Sequence, residues 1–285
     1  METKLIDGKQ IAREIRAELK EKIKALKEAG KPVPKLVVIL VGEDPASEIY
    51  VRNKAKACGW IQMESETIPM RADIREEELL KKIQELNQDP GVNGILVQMP
   101  LPAGFDAEKV LDAIDPAKDV DGFHPMNVGK MAIGNPTALE SCTPAGVIQL
   151  LERSGIEISG KYCVVAGRSN IVGKPMARML LAKNGTVTVL HSKTQNMDEI
   201  LRQADIFVSA IGKPKFFSGS QFKEGVVIVD VGIHRSEEGI CGDVDTSSCQ
   251  GIASYITPVP GGVGPMTIAM LLYNTLRAYE QQHEK

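Results

Sequence analysis

A strand that runs straight into a glycine turn and then into a helix constrains a chain strongly, because in an open α/β sheet the phosphates of a nucleotide bind there. Residues 162–176, YCVVAGRSNIVGKPM, have this form. Gly167 suits the tight turn. Gly173 lets the helix start close against the sheet, and Pro175 is pre-set for a first helical turn. Free N–H groups and the dipole at that start favour an anion. The spacing departs from the usual fingerprint: Arg168 and Ser169 stand where G-x-G-x-x-G has its second residue and its middle glycine. A lone glycine loop is weak evidence, so the next strand decides.

That strand, TVTVL at 186–190, is entered through Asn184-Gly185, a good helix stop. An NAD site places Asp or Glu near its end, about 20 residues beyond the first glycine, to hold the ribose 2′-hydroxyl. Here the strand ends His191-Ser192-Lys193-Thr194, with no acid. A hydroxyl and a cation suit a 2′-phosphate, and Arg168 across the turn adds a second cation. Each charge-assisted contact contributes about 1.5–3 kcal/mol, so two favour NADP over NAD by more than about tenfold. The competing reading is a solvated polar loop after an ordinary Rossmann strand.

The 285 residues, 43% hydrophobic, are enough for two domains with sizeable cores. A net charge of −3 predicts no basic face for nucleic acid, and no apolar run approaches the about 18 residues that span a membrane. The N-terminus is charged almost at once and lacks a signal-peptide core. Five cysteines are scattered without a C-x-x-C pair, as expected of reduced thiols in a cytoplasmic protein. Four histidines without ligand spacing predict no metal site.

Strands and helices alternate along the chain. Ile11, Ile15, Leu19, Ile23 and Leu26 predict an amphipathic helix closed by Gly30. Strands are expected at 35–42 and 94–100, with helices after Asp44-Pro45 and over 75–86. Residues 103–135 read as helix plus a Gly/Pro-broken loop, a candidate domain edge. Strands at 163–166, 186–190, 206–210 and 226–231 follow, and a long helix starts near Pro265. The pattern is α/β with mostly parallel sheets and ligands at the strands' carboxyl ends.

Outside the nucleotide loop, Tyr50 and Lys54 share one helix face, and the strand end carrying Gln98 is placed to meet the same cleft. A partly desolvated lysine beside an amide suits proton transfer; the plainer reading is a solvent-facing lysine. Asp119 and Asp121 are either turn residues capping backbone N–H groups or include one acceptor for a nitrogen-rich ring. Asp243 and Asp245 repeat the spacing, and there the turn is the favoured reading. Residues 257–267, TPVPGGVGPMT, pair prolines that fix the approach with glycines that admit a flat ligand close to the backbone, notably at Pro260 and Gly261.

YVRNKAKA (50–57), VQMPLP (97–102), KDVDGFHPMNVGK (118–130), CTPAG (142–146), GRSNIVGKP (167–175), HSKT (191–194) and TPVPGGVGPMT stand in the order found in bifunctional methylenetetrahydrofolate dehydrogenase/methenyltetrahydrofolate cyclohydrolases, which the chain resembles over nearly its whole length. The resemblance implies two three-layer α/β/α domains with a cleft between them. Residues 1–140, completed by a helix over 266–285, would form the folate-binding catalytic domain, and 141–265 a Rossmann-type NADP-binding domain. It implies oxidation of methylenetetrahydrofolate by NADP and hydrolysis of the methenyl product to 10-formyltetrahydrofolate, within one-carbon metabolism. Lys54 would be the acid/base and Gln98 its tuning partner. Tyr50 would pack along the aminobenzoyl ring, and Asp121 would accept from the pterin. Arg168 and Ser192 would meet the 2′-phosphate, while Thr143, Ser169, Gly173, Ile233 and Thr267 line the nicotinamide side. The family is commonly a homodimer that pairs through the cofactor domain.

Departures are small. Ser141 stands where many relatives have Pro, and a chain ending at Lys285 leaves no room for the formyltetrahydrofolate synthetase domain of larger relatives. Two alternatives stay open: a dehydrogenase without ring opening, which intact Lys54, Gln98 and Asp121 argue against, and a non-catalytic NADP- or folate-binding module.

Overall fold

Apolar strands separated by helices bury both faces only in parallel sheets covered by those helices. The computed structural model, which describes residues 2–236 and 239–283, has this arrangement. In chain order the elements are β1 (Lys4–Leu5), α1 (Gly8–Glu28), β2 (Lys35–Val41), α2 (Pro45–Ile61), β3 (Glu64–Met70), α3 (Glu76–Gln88) and β4 (Gly94–Val97). There follow α4 (Ala107–Asp112), α5 (Pro125–Ala132), α6 (Cys142–Arg153), β5 (Tyr162–Ala166), α7 (Gly173–Ala182), β6 (Thr186–Leu190), α8 (Met197–Leu201) and β7 (Ile206–Ser209). The last are β8 (Val227–Asp230), β9 (His234–Ser236), β10 (Gly239–Cys241), β11 (Tyr255–Ile256) and α9 (Val263–His283). No helix among the described residues is long and apolar enough to cross a membrane.

The chain divides into two compact units. The first is Glu14–Cys142 with Ile268–Lys285, and the second is Met1–Arg13 with Thr143–Thr267. The opening 13 residues, expected with residues 14–140, therefore belong to the other unit. The reason is backbone pairing: β1 lies parallel to β11, with Leu5 opposite Ile256, and the Ile6 N–H donates to the Ile256 carbonyl at 2.9 Å.

In the first unit β2 is the centre of a parallel sheet ordered β3-β2-β4. Its run of buried residues (KLVVILV) packs Val37, Ile39 and Val41 against Leu79 and Ile83 of α3 and against Val110 and Ile114. β3 was not anticipated: ESETIPM is mostly exposed and contains Pro69, the composition of an edge strand. Nor are residues 103–135 a domain edge. Ile95 donates its N–H to the Lys118 carbonyl at 2.8 Å, which lays 118–121 beside β4, and α5 follows.

The second unit is built on a parallel sheet ordered β1-β11-β8-β7-β5-β6 among the described residues. The four expected strands there are β5–β8; β1, β11 and the antiparallel pair β9 and β10 are additions. The core includes Val164, Leu190, Phe207, Phe217 and Ile228, with the Phe207 and Phe217 rings edge to face at 4.8 Å. Chain order reverses at β5: β6 lies on one side and β7 on the other. Loops leaving the carboxyl ends of β5 and β7 therefore part, which is where open α/β sheets take ligands. The final helix begins at Val263, slightly before the expected Pro265, and residues 284–285 lie outside the described residues.

Candidate active site

In the second unit, Gly167 ends β5 at φ +117°, and a side chain there would strike the Ala210 carbonyl oxygen at 2.3 Å. A Cβ on Gly173 would come within 2.2 Å of the Gly167 oxygen, so both positions require glycine for α7 to start against the sheet. The donors at that helix start are not free, contrary to expectation. Ser169 Oγ accepts from the N–H groups of Val172 (3.2 Å) and Gly173 (3.3 Å), and the Lys174 N–H donates to the Ser169 carbonyl at 3.0 Å. The hydroxyl acts as the missing cap of α7.

A cavity of about 340 Å³ opens beside this turn. It is lined by Gly167, Arg168 and Ser169 after β5, by His191 and Ser192 after β6, by Ile211 and Lys213 after β7, and by Met197 and Phe216. Among the described residues no carboxylate lines it, and Arg168, Ser192 and Lys213 are exposed at its wall. The HSKT turn holds itself: the His191 N–H donates to Thr194 Oγ1 and the Thr194 N–H to the His191 carbonyl, both at 2.9 Å. Thr143 and Thr267 hydroxyls meet at 2.9 Å. Ile233 is exposed next to Gly264. Pro260 is exposed, and the Gly261 carbonyl accepts from the Lys9 N–H at 3.1 Å.

In the first unit α2 is launched by Asp44, whose Oδ2 accepts from the Ser47 N–H at 2.7 Å, with Pro45 in the first turn. Its inner face buries Ser47, Val51, Ala57, Cys58 and Ile61, and Tyr50 stays 52% exposed. Lys54 is half-buried and its Nζ donates to Gln98 Oε1 at 3.0 Å. The amide is oriented for this: Gln98 Nε2 donates to the Met99 carbonyl at 2.7 Å, so its oxygen faces the lysine.

The two aspartates of KDVDG differ. Asp119 is buried and accepts from the N–H groups of Phe123 (3.2 Å) and His124 (2.9 Å) and from Asn127 Nδ2 (2.9 Å), the turn-capping role. Asp121 is held by none of these donors. Burial pushes its carboxyl up to about 6; Lys54 draws it down and Asp119 pushes it up. Three supporting residues were not foreseen. Lys118 Nζ donates to the Leu86 and Asp89 carbonyls, at 2.9 and 2.7 Å. Asn274 of α9 donates to the Val120 and Glu140 carbonyls, at 2.9 and 2.7 Å. Cys142 Sγ lies 3.2 Å from the Val120 carbonyl, its thiol pushed well up by burial. An asparagine inside the apolar stretch LLYNTL was the available signal, since a buried amide must find partners.

A glycine cradle at a sheet's switch point in one unit and a lysine hydrogen-bonded to an amide in the other are the features of a nucleotide-linked enzyme class. Residues 6–121 match the tetrahydrofolate dehydrogenase/cyclohydrolase catalytic domain, and residues 141–283 the NAD(P)-binding domain of the same proteins. The bifunctional protein FolD of Acetivibrio thermocellus is 56% identical over 283 residues, 99% of each chain. The bifunctional FolD structure from Campylobacter jejuni superposes with a TM-score of 0.95 at 48% identity, covering 98% of this chain and 99% of that one. The dehydrogenase-cyclohydrolase of Trypanosoma brucei, solved with NADP and an inhibitor, gives 0.93 at 38% identity, with coverage of 99% and 98%. The chain belongs to the tetrahydrofolate dehydrogenase/cyclohydrolase family. It is an enzyme of folate one-carbon chemistry with both activities.

Because Asp121 is raised to about 6, it is ionised above that pH and loses an acceptor as pH falls through it. KM for the folate substrate is expected to rise as pH drops from 7.5 to 5.5, and Asp121→Asn should raise KM and flatten the profile. Steady-state kinetics across that range check this; an unchanged profile in the variant removes Asp121 from folate binding.

Proposed function

We propose that Lys54, held by Gln98, moves the protons of the cyclohydrolase step and that Asp121 and Tyr50 hold the folate. The enzyme oxidises 5,10-methylenetetrahydrofolate to the 5,10-methenyl form with NADP and hydrolyses that product to 10-formyltetrahydrofolate. The observation that carries the residue roles is the 3.0 Å Lys54–Gln98 bond with its amide locked by Met99.

The second unit's residues fit NADP. The Gly167–Gly173 contact leaves backbone, not side chain, at the cradle. Arg168 and Ser192 supply a cation and a hydroxyl for a 2′-phosphate, with no carboxylate among the described residues of the cavity wall to repel it. Thr143, Ser169, Gly173, Ile233 and Thr267 are assigned to the nicotinamide side. When bound, NADP supplies the hydride acceptor, and the protein's task in that step is positioning.

The substrate carbon lies between two nitrogens whose lone pairs stabilise the cation left by hydride loss. Hydrolysis then needs proton transfer: water adds to that carbon and gives up a proton, and the bond to N5 breaks as a proton is delivered to N5. The remaining hydroxyl proton passes to solvent as the formyl C=O forms, so one proton is released overall. Lys54 Nζ takes up the first proton and supplies the second. Gln98 Oε1 serves both states, because an amine and an ammonium each retain an N–H to donate. Asp121 accepts from the pterin amino and ring N–H groups, Tyr50 packs along the aminobenzoyl ring, and Pro260 and Gly261 bring backbone close to the ligand.

Methylenetetrahydrofolate and NADP with the enzyme should generate the near-ultraviolet band of the methenyl form, and enzyme alone should consume it. Lys54→Met should abolish the consumption while NADP affinity stays near normal; retained hydrolysis removes Lys54 from the mechanism. Arg168→Ala should weaken NADP by about tenfold or more, from loss of a contact of about 1.5–3 kcal/mol, and narrow the preference over NAD. An unchanged NADP/NAD ratio sinks the phosphate assignment.

The free cysteines support a reducing compartment, and the working form is read as a cytoplasmic homodimer joined through the NADP-binding unit. β6 supports that assembly by ending its sheet among the described residues. Light scattering after size-exclusion chromatography should give twice the chain mass of 30.9 kDa; a monomer at micromolar concentration contradicts it.

A further inference from the structure

The chain leaving β7 presents three successive N–H groups to one carboxylate. Ile211 (2.8 Å) and Gly212 (3.2 Å) donate to Asp243 Oδ2, and Lys213 (2.9 Å) donates to Oδ1. Ser209 Oγ adds a bond to Oδ2 at 2.9 Å, and His234 Nε2 lies 2.8 Å from Oδ1. Asp243 is fully buried. It is itself fixed: Asp230 accepts from the Asp243 N–H at 3.1 Å and from the Val244 N–H at 2.8 Å, and Gly232 has room for no side chain against its carboxylate. Ile211 and Lys213 line the cavity beside Gly167. His234 adjoins Ile233, the exposed residue assigned to the nicotinamide side.

We propose that Asp243 is a positioning residue for the dinucleotide: its one buried carboxylate sets the 211–213 wall of the cavity and, through His234, the backbone that presents Ile233. The proposal rests on the cavity being the NADP site. Three consecutive amides bound by an internal carboxylate cannot turn to solvent, so the wall is held in one shape before the cofactor arrives. This ordering lowers the entropy cost of binding. An acid at this place attracts no phosphate; its role is to hold backbone, and His234 ties two separate stretches of chain to it.

Asp243→Asn keeps the shape but sets an N–H against donors. KM for NADP, and its Kd by calorimetric titration, should rise about tenfold, with KM for the folate and the rate of methenyl hydrolysis within a factor of about two of the parent. His234→Gln, which retains an N–H donor, should bind NADP more tightly than His234→Leu. A parallel fall of NADP affinity, folate affinity and hydrolysis in Asp243→Asn overturns the proposal in favour of a purely structural role. So does an unchanged Kd for NADP, or equal binding by the two His234 variants. If Asp243→Asn does not accumulate as folded protein, the His234 pair decides. Arg168→Ala separates the underlying reading: if it too leaves NADP binding unchanged, the cavity assignment fails, whereas weakened binding there with normal binding in Asp243→Asn overturns only the positioning role.

Discussion

The close approach of Gly173 to the Gly167 carbonyl, nearer than any side chain would allow, sets the geometry of the second unit. With that contact, β5 passes into α7 through one tight turn, and the helix lies against the sheet without a gap. β5 can then sit between β6 and β7, which sends the loops after β5 and β7 apart and opens the cavity at their carboxyl ends. Ser169 fits the same constraint. Its hydroxyl answers the N–H groups of Val172 and Gly173 where α7 begins, so the turn is held by the chain's own side chain.

The residues proposed to meet ligands lie mostly on loops, and loops hold a shape only when their backbone groups are answered. Both units use buried polar side chains for this. In the second unit Asp243 and Asp230 collect the N–H groups of residues 211–213, 232, 243 and 244. In the first, Lys118 takes the carbonyls that end α3, and Asn274 reaches from α9 to the carbonyls of Val120 and Glu140. Leaving one such group unpaired costs about 1–3 kcal/mol, so these networks fix the segment carrying Asp121 and the wall carrying Ile211 and Lys213.

The legible parts of the chain were those whose evidence is local. β2, β5 and β6 are apolar runs bounded by turn residues, and the pair Tyr50–Lys54 follows from helical spacing alone. The illegible parts depend on distant partners. β1 and β11 are two residues each, strands only because remote segments meet. β3 looks polar because it is an edge, shielded on one side alone. Lys118, Asn274 and Asp243 are ordinary polar residues until the fold brings backbone groups to them. The folate-side assignment rested on resemblance to a family more than on spacing, since a lysine four residues after a tyrosine is commonplace on helices.

The two Asp-x-Asp pairs show where local reading stops. In extended chain, residues two apart point the same way, so equal spacing invites equal roles, yet the partners separate them. Asp119 is saturated by two backbone N–H groups and an amide, while Asp121, two residues on, receives none of these and has Lys54 as its favourable charge. In the other pair the order of use is different: Asp243 binds the loop after β7, and Asp245 accepts from the Ser247 N–H at 3.2 Å in the turn that was expected. A carboxylate already surrounded by donors is part of the frame, whereas one left with a neighbouring cation and no N–H partner retains its acceptor capacity for a ligand. Donor count at the carboxylate, a tertiary quantity, separates support from recognition where spacing cannot.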